Sequence, residues 1–87
     1  MTKQNILEQY KRMGKNFMTP EIIDYTITPD GRIIELSAGL DLDNKKVFGV
    51  SEFILNDDKK LETTRRGQMH HTKQSARKHF NILLGSF

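Results

Sequence analysis

IIDYTITPDGRIIELSAGL, residues 22 to 40, decides the fold. Ile23, Tyr25 and Ile27 alternate with Asp24, Thr26 and Thr28, the period-two pattern of a strand with one apolar face. Ile34, Leu36, Ala38 and Leu40 repeat the pattern further on. Between the two runs, Pro29-Asp30-Gly31 combines a preset φ, a turn-favouring carboxylate and a glycine. The reading is an antiparallel hairpin with strands over 22–28 and 32–40.

Downstream, residues 41–46 read as a loop and 47–55 as a third strand. Its apolar phase shifts between Val50 and Phe53, which predicts a bulge near Ser51 and Glu52. Asn56 to Lys59 form another turn, and 60–66 is either a short fourth strand or a long loop. Gly67 to His71 read as a link into a closing helix over 72–84, where Ala76, Phe80, Leu83 and Phe87 line one side. Upstream, Ile6, Tyr10, Met13 and Phe17 recur at helical spacing beside Leu7, giving a first helix over 3–17. Gly14 weakens that helix, and Thr19-Pro20 ends it because a residue before proline is pushed out of helical dihedrals. The order α-β-β-β-(β)-α makes a single α+β domain. Its antiparallel sheet is expected to carry both helices on one face and to turn the face bearing Glu35 and Ser37 to solvent.

Eighty-seven residues suit one small core. The chain has no cysteine, which removes a disulfide scaffold, a thiolate metal site and a cysteine nucleophile, and favours a reducing, intracellular and cytoplasmic setting. No apolar run exceeds three residues, the length of Ile82 to Leu84, which is far too short to span a bilayer, so no membrane role is expected. Net charge is +3, a small excess whose placement matters more than its size. From Arg65 and Arg66 through His70 and His71 to Lys78 there is no acid, whereas the acids concentrate between Glu21 and Glu62.

The closing helix carries the functional signal. Lys73, Gln74, Arg77 and Lys78 gather near its amino end, opposite the apolar stripe, and Thr72 is placed to cap the first turn. Free N–H groups and the positive end of the helix dipole add to that charge, so an anion such as a phosphate is the natural guest.

The element order and the stretch Thr72-Lys73-Gln74-Ser75-Ala76-Arg77 resemble a double-stranded-RNA-binding domain. That family's motif is Ser or Thr, then Lys-Lys, any residue, Ala, and Lys or Arg. The resemblance implies that Lys73 and Arg77 contact phosphates across a major groove, with Gln74 a polar substitute for the second lysine and Lys78 adding charge. It further implies minor-groove contacts from Gln4, Glu8 and Lys11 on the first helix, and from Asp30, Gly31 and Arg32 in the hairpin turn. Arg65 and Arg66 join the same candidate set through the acid-free segment. The family's turn histidine is absent here, and its glycine-spaced last strand is replaced by residues 61–71. What the resemblance implies is recognition of duplex or structured RNA by shape, through three points spread over about 16 base pairs. Alternatives from the residues are a protein-interaction or homodimer module built on Phe53, Leu84 and Phe87, and DNA binding through the same helix.

Other features read as structural. His70 and His71 point apart in an extended link, so no metal is expected, nor any other cofactor. Residues 41–44 and 56–58 lack the glycine and distal glutamate of a calcium loop and read as ordinary turns. Gly49 suits close packing in a strand, and Phe48 and Phe53 suit a core better than a base-stacking face. No serine has a nucleophile-elbow context and the carboxylates cluster in turns, so a non-catalytic role is expected.

Overall fold

The structure, a computed structural model, describes residues 3–12 and 19–85. Helix α1 (Lys3–Arg12) precedes strands β1 (Glu21–Ile27), β2 (Ile33–Leu40), β3 (Lys46–Leu55), β4 (Leu61–Thr63) and β5 (Gln68–His70), and helix α2 (Lys73–Gly85) closes the chain. The expected extension of the first helix through Met13 to Phe17 lies outside the described residues, as does Phe87. The sheet runs β1-β2-β3-β4, all antiparallel, with β5 also paired to β3.

The α+β class and the hairpin hold; the placement of the first helix does not. Ile34, Leu36, Ala38, Phe48 and Val50 form one core with Ala76, Phe80 and Leu83 of α2. Ile33 and Phe53, on the alternate positions of the same strands, form a second core with Ile6 and Tyr10 of α1. Successive strand residues point to opposite faces, so the two helices cover opposite sides of the sheet. The face expected to meet solvent is closed instead. Glu35 is buried and accepts a hydrogen bond from the Tyr10 hydroxyl at 2.7 Å, and the buried Ser37 hydroxyl donates to Thr19 Oγ1 at 2.8 Å.

Two-sided burial also explains the apolar phase of β3. Its register against β2 is unbroken from Lys46 to Phe53, with no bulge at Ser51 and Glu52. Val50 faces α2, Phe53 faces α1, and Glu52 occupies an α2-side position as a charged group. The interruption falls on the neighbouring segment. β4 pairs with 53–55 and β5 with 48–50, so residues 64–67 interrupt the strand beside 51 and 52, where the Thr64 N–H still donates to the Glu52 carbonyl at 2.9 Å. Residues 60–66 therefore hold only a three-residue strand, and the expected link 67–71 contains β5. A real bulge sits in β1, between Ile22 and Asp24, where it turns Ile23 toward the α2 core and leaves Tyr25 and Ile27 on the α1 side.

All three hairpins use one loop design. Thr28, Asp41 and Asn56 each accept, on the side-chain oxygen, the backbone N–H four residues on, from Arg32, Lys45 and Lys60. Gly31, Asn44 and Lys59 then take positive φ of 87°, 61° and 61°. This is a type I turn followed by a left-handed residue, a three-residue connection that suits the strand twist. The first and third loops, with the end of α2, lie at one end of the sheet. The second loop and the start of α2 lie at the other.

Candidate functional site

Helix α2 begins as expected, with Thr72 Oγ1 accepting from the Ser75 N–H at 3.1 Å and the Thr72 carbonyl accepting from the Ala76 N–H at 3.1 Å. Its first turn carries no acid. Lys73, Gln74 and Lys78 are exposed and make no ion pair among the described residues. Arg77 differs: its Nη1 donates to Asp24 at 2.8 Å, and its guanidinium lies 5.1 Å from the centre of the Phe80 ring. That charge ties the helix to β1.

Arg32 is further from the expected role. Its side chain is only 9% exposed; Nε donates to Asp30 at 2.9 Å, and Nη1 donates to Glu52 at 2.6 Å and to the Leu83 carbonyl at 2.9 Å. Asp30 also accepts from the Thr28 hydroxyl, which holds its carboxyl below the ordinary carboxylate value; Arg32 reinforces the shift. Arg66 joins the same cluster, donating to Glu52 from Nε at 3.0 Å and Nη2 at 2.7 Å, while the Thr64 hydroxyl donates to it at 2.8 Å. Burial alone would raise the Glu52 carboxyl, but the bonds from Arg66, Thr64 and Arg32 outweigh it and the net direction is down.

The three expected contact points do not share a rim. Leu83, bonded to Arg32, is ten residues from Lys73, or about 15 Å along the helix axis. The Asp30, Gly31 and Arg32 turn is thus at the far end of α2. Glu8 and Lys11 lie on α1, across the sheet. Gln4 belongs to α1, but its side chain lies outside the described residues. Arg65 is exposed in the loop between β4 and β5.

A different cluster assembles at the amino end of α2. β5 pairs with the start of β3, with His70 opposite Phe48, and α2 starts three residues later. Lys73 therefore stands at the end of the sheet that also bears Lys45 and Lys46 of the second hairpin. Those lysines were not singled out from the sequence, where 27 residues separate Lys46 from Lys73 and nothing local marks β5 as their bridge. At the same end, His70 Nδ1 lies 2.8 Å from Ser75 Oγ and His70 Nε2 lies 2.9 Å from His79 Nδ1. The pair fastens β5 to the first turns of α2. Burial, then His79 and His71, lower the His70 pKa from its ordinary value.

Of the expected apolar patch, Phe53 is buried in the α1-side core and Leu84 packs beside the α2-side core, while Phe87 is outside the described residues. Phe48 is buried too, and a Cβ on Gly49 would meet Thr19 Oγ1 at 2.9 Å and Ser37 Oγ at 3.0 Å, so close packing fixes that glycine. A cleft of about 300 Å³ lies on the α1 side, bordered by Thr19, Ser51, Thr63, Thr64 and Gln68 without an ionisable side chain. It offers hydroxyls and amides but no acid or base. No helix among the described residues is long and apolar enough to cross a membrane. Comparison of the chain with protein-family models, with curated proteins and with solved structures gives no match.

Proposed function

We propose that the protein is a non-catalytic module that holds the phosphate backbone of structured or double-stranded RNA at the amino end of α2. The observation that carries this reading is the capped, acid-free first turn with exposed Lys73 and Gln74, with exposed Lys78 in the next turn, joined at the same end of the sheet by Lys45 and Lys46. Backbone N–H groups, the positive end of the helix dipole and exposed lysines lie at that end, a combination suited to phosphate oxygens. With the turn at Arg32 at the other end and α1 across the sheet, the grip is local. A footprint shorter than the roughly 16 base pairs of a three-point reader follows.

Fluorescence anisotropy with a labelled RNA duplex at increasing salt tests the proposal. Affinity should fall steeply with salt, by a log–log slope of about 0.7–0.9 per phosphate neutralised. Lys73→Ala with Lys78→Ala should weaken binding and lower that slope by about two phosphates' worth. Unchanged affinity in the double variant removes the site, and a salt-independent curve removes the mechanism. Competition with a DNA duplex decides RNA against DNA.

One observation favours a second reading, a protein-interaction module. β1 is an edge strand of the sheet, and Ile22 and Tyr25 on it are partly exposed. Dimer mass in solution, without nucleic acid, would support it.

A further inference from the structure

Leu42 is 99% exposed at the tip of the second hairpin, with Leu40, also exposed, beside it. The repeated loop design shows that the fold does not ask for it. The equivalent first loop position is Pro29 in one hairpin, where proline presets φ, and Asp57 in another, where an exposed polar side chain sits on the loop that Asn56 Oδ1 organises. A leucine contributes neither feature and touches no core. The loop that carries it is nevertheless firmly built: Asp41 Oδ1 accepts from the N–H groups of Asp43 and Lys45 at 2.8 and 2.9 Å, and Asn44 completes the turn. Little conformational freedom is lost when such a tip enters a site.

Its surroundings say what that site is. The tip shares its end of the sheet with Lys45, Lys46 and the amino end of α2. An apolar prong beside phosphate-seeking cations fits a ligand whose apolar surfaces lie between anionic backbones. Asp43 beside the leucine is exposed, and a carboxylate there can accept from base amino groups while the lysines meet the phosphates. A continuous A-form stack offers no slot for a leucine, whereas a bulge, loop or open helix end does.

Resting on the RNA reading above, we infer that Leu42 enters a break in base stacking, so that the ligand class is structured RNA with unpaired bases next to a duplex. Two labelled RNAs test it: a fully paired duplex of about 20 base pairs, and the same duplex with a two-nucleotide bulge. The wild-type chain should prefer the bulged RNA by about tenfold, the size of effect that burying one leucine can give. Leu42→Ala and Leu42→Ser, neither of which adds charge beside the lysines, should bind both RNAs with the wild-type affinity for the paired one. Their Tm should match wild type because the side chain packs on nothing. Equal wild-type affinity for the two RNAs, or a preference that survives both substitutions, overturns the inference while leaving phosphate binding in place. Binding to neither RNA overturns both readings. Leu42-dependent binding to phosphatidylserine vesicles without any bulge preference assigns the prong to lipid and overturns it as well.

Discussion

Replacing Glu52 by glutamine should remove more stability than any surface change in this protein. The carboxylate is 3% exposed and receives four hydrogen bonds, from Arg32, Thr64 and twice from Arg66, at 2.6 to 3.0 Å. An amide of the same shape cannot balance two guanidinium groups, and Arg32, itself nearly buried, is left with Asp30 and the Leu83 carbonyl. Breaking a buried pair from one side costs about 3–5 kcal/mol. The partly exposed Arg66 and Asp30 soften that here, so we expect about 3 kcal/mol. An 87-residue domain has roughly 4–13 kcal/mol in total. With a urea slope near the low end for small proteins, about 1 kcal/mol per M, the midpoint should fall by about 2–3 M.

Arg66→Ala is the internal contrast. Its side chain is 40% exposed, so water replaces much of what it loses and the cost should be about 1 kcal/mol or less. Arg32→Met combined with Glu52→Leu should recover most of the loss, since matched apolar replacement of a buried pair is often neutral. Because the Glu52 carboxyl is held below its ordinary 4.5, its stabilisation is complete above that pH and disappears as pH falls through the lowered folded value. Glu52→Gln should flatten that acid limb. A midpoint shift below about 0.5 M, or an Arg66→Ala cost equal to that of Glu52→Gln, would refute the reasoning.

Two further predictions concern ionisable groups on either side of the sheet. Burial raises the Glu35 carboxyl against the opposing Tyr10 hydrogen bond, so the folded state binds its proton more tightly than the unfolded chain does. Stability from this group is present below its unfolded value and lost as pH rises through the raised one; Glu35→Gln should therefore raise Tm at pH 7 and lose that advantage below pH 4.5. For His70 the folded value is lowered, so stability is complete above its ordinary 6.5 and declines as pH drops beneath it; His79→Asn should shallow that decline in thermal melts between pH 6.5 and 5.

Much of the architecture was legible because its signals are local. Pro29-Asp30-Gly31 and the alternation on either side gave β1 and β2, and Thr72 announced the start of α2. What was not legible depends on distant pairing. Gln68 to His70 become a strand only because Phe48 to Val50, some twenty residues earlier, lend an edge. The stripe Ile6 and Tyr10 shows that α1 covers something, but not which face. The clue was Ile33 beside Ile34: apolar residues in both phases of β2 imply two covered faces, and Glu35 and Ser37 obscured it by being polar. Both are buried because a tyrosine and a threonine reach them, which no periodicity reports.

The candidate site divides along the same line. An arginine in an exposed-looking turn and an arginine in a basic run read alike in sequence, yet both converge on Glu52, Arg32 from the β2 side of β3 and Arg66 from the β4 and β5 side. Arg32 does more than neutralise it: by donating to the Leu83 carbonyl it places a cation at the negative end of the α2 dipole and binds β2, β3 and the helix terminus together. Partners therefore sort the cations by use, and Arg77, although near the amino end of α2, is held by Asp24. Those near the carboxyl end of α2 face inward acceptors and hold the fold, whereas Lys73 and Lys78 near its amino end meet solvent without a carboxylate. A helix fixed so firmly at one end presents its other end in a constant orientation to the strand ends bearing Lys45 and Lys46. That constancy is what a small domain needs if a few charges are to match the spacing of phosphates.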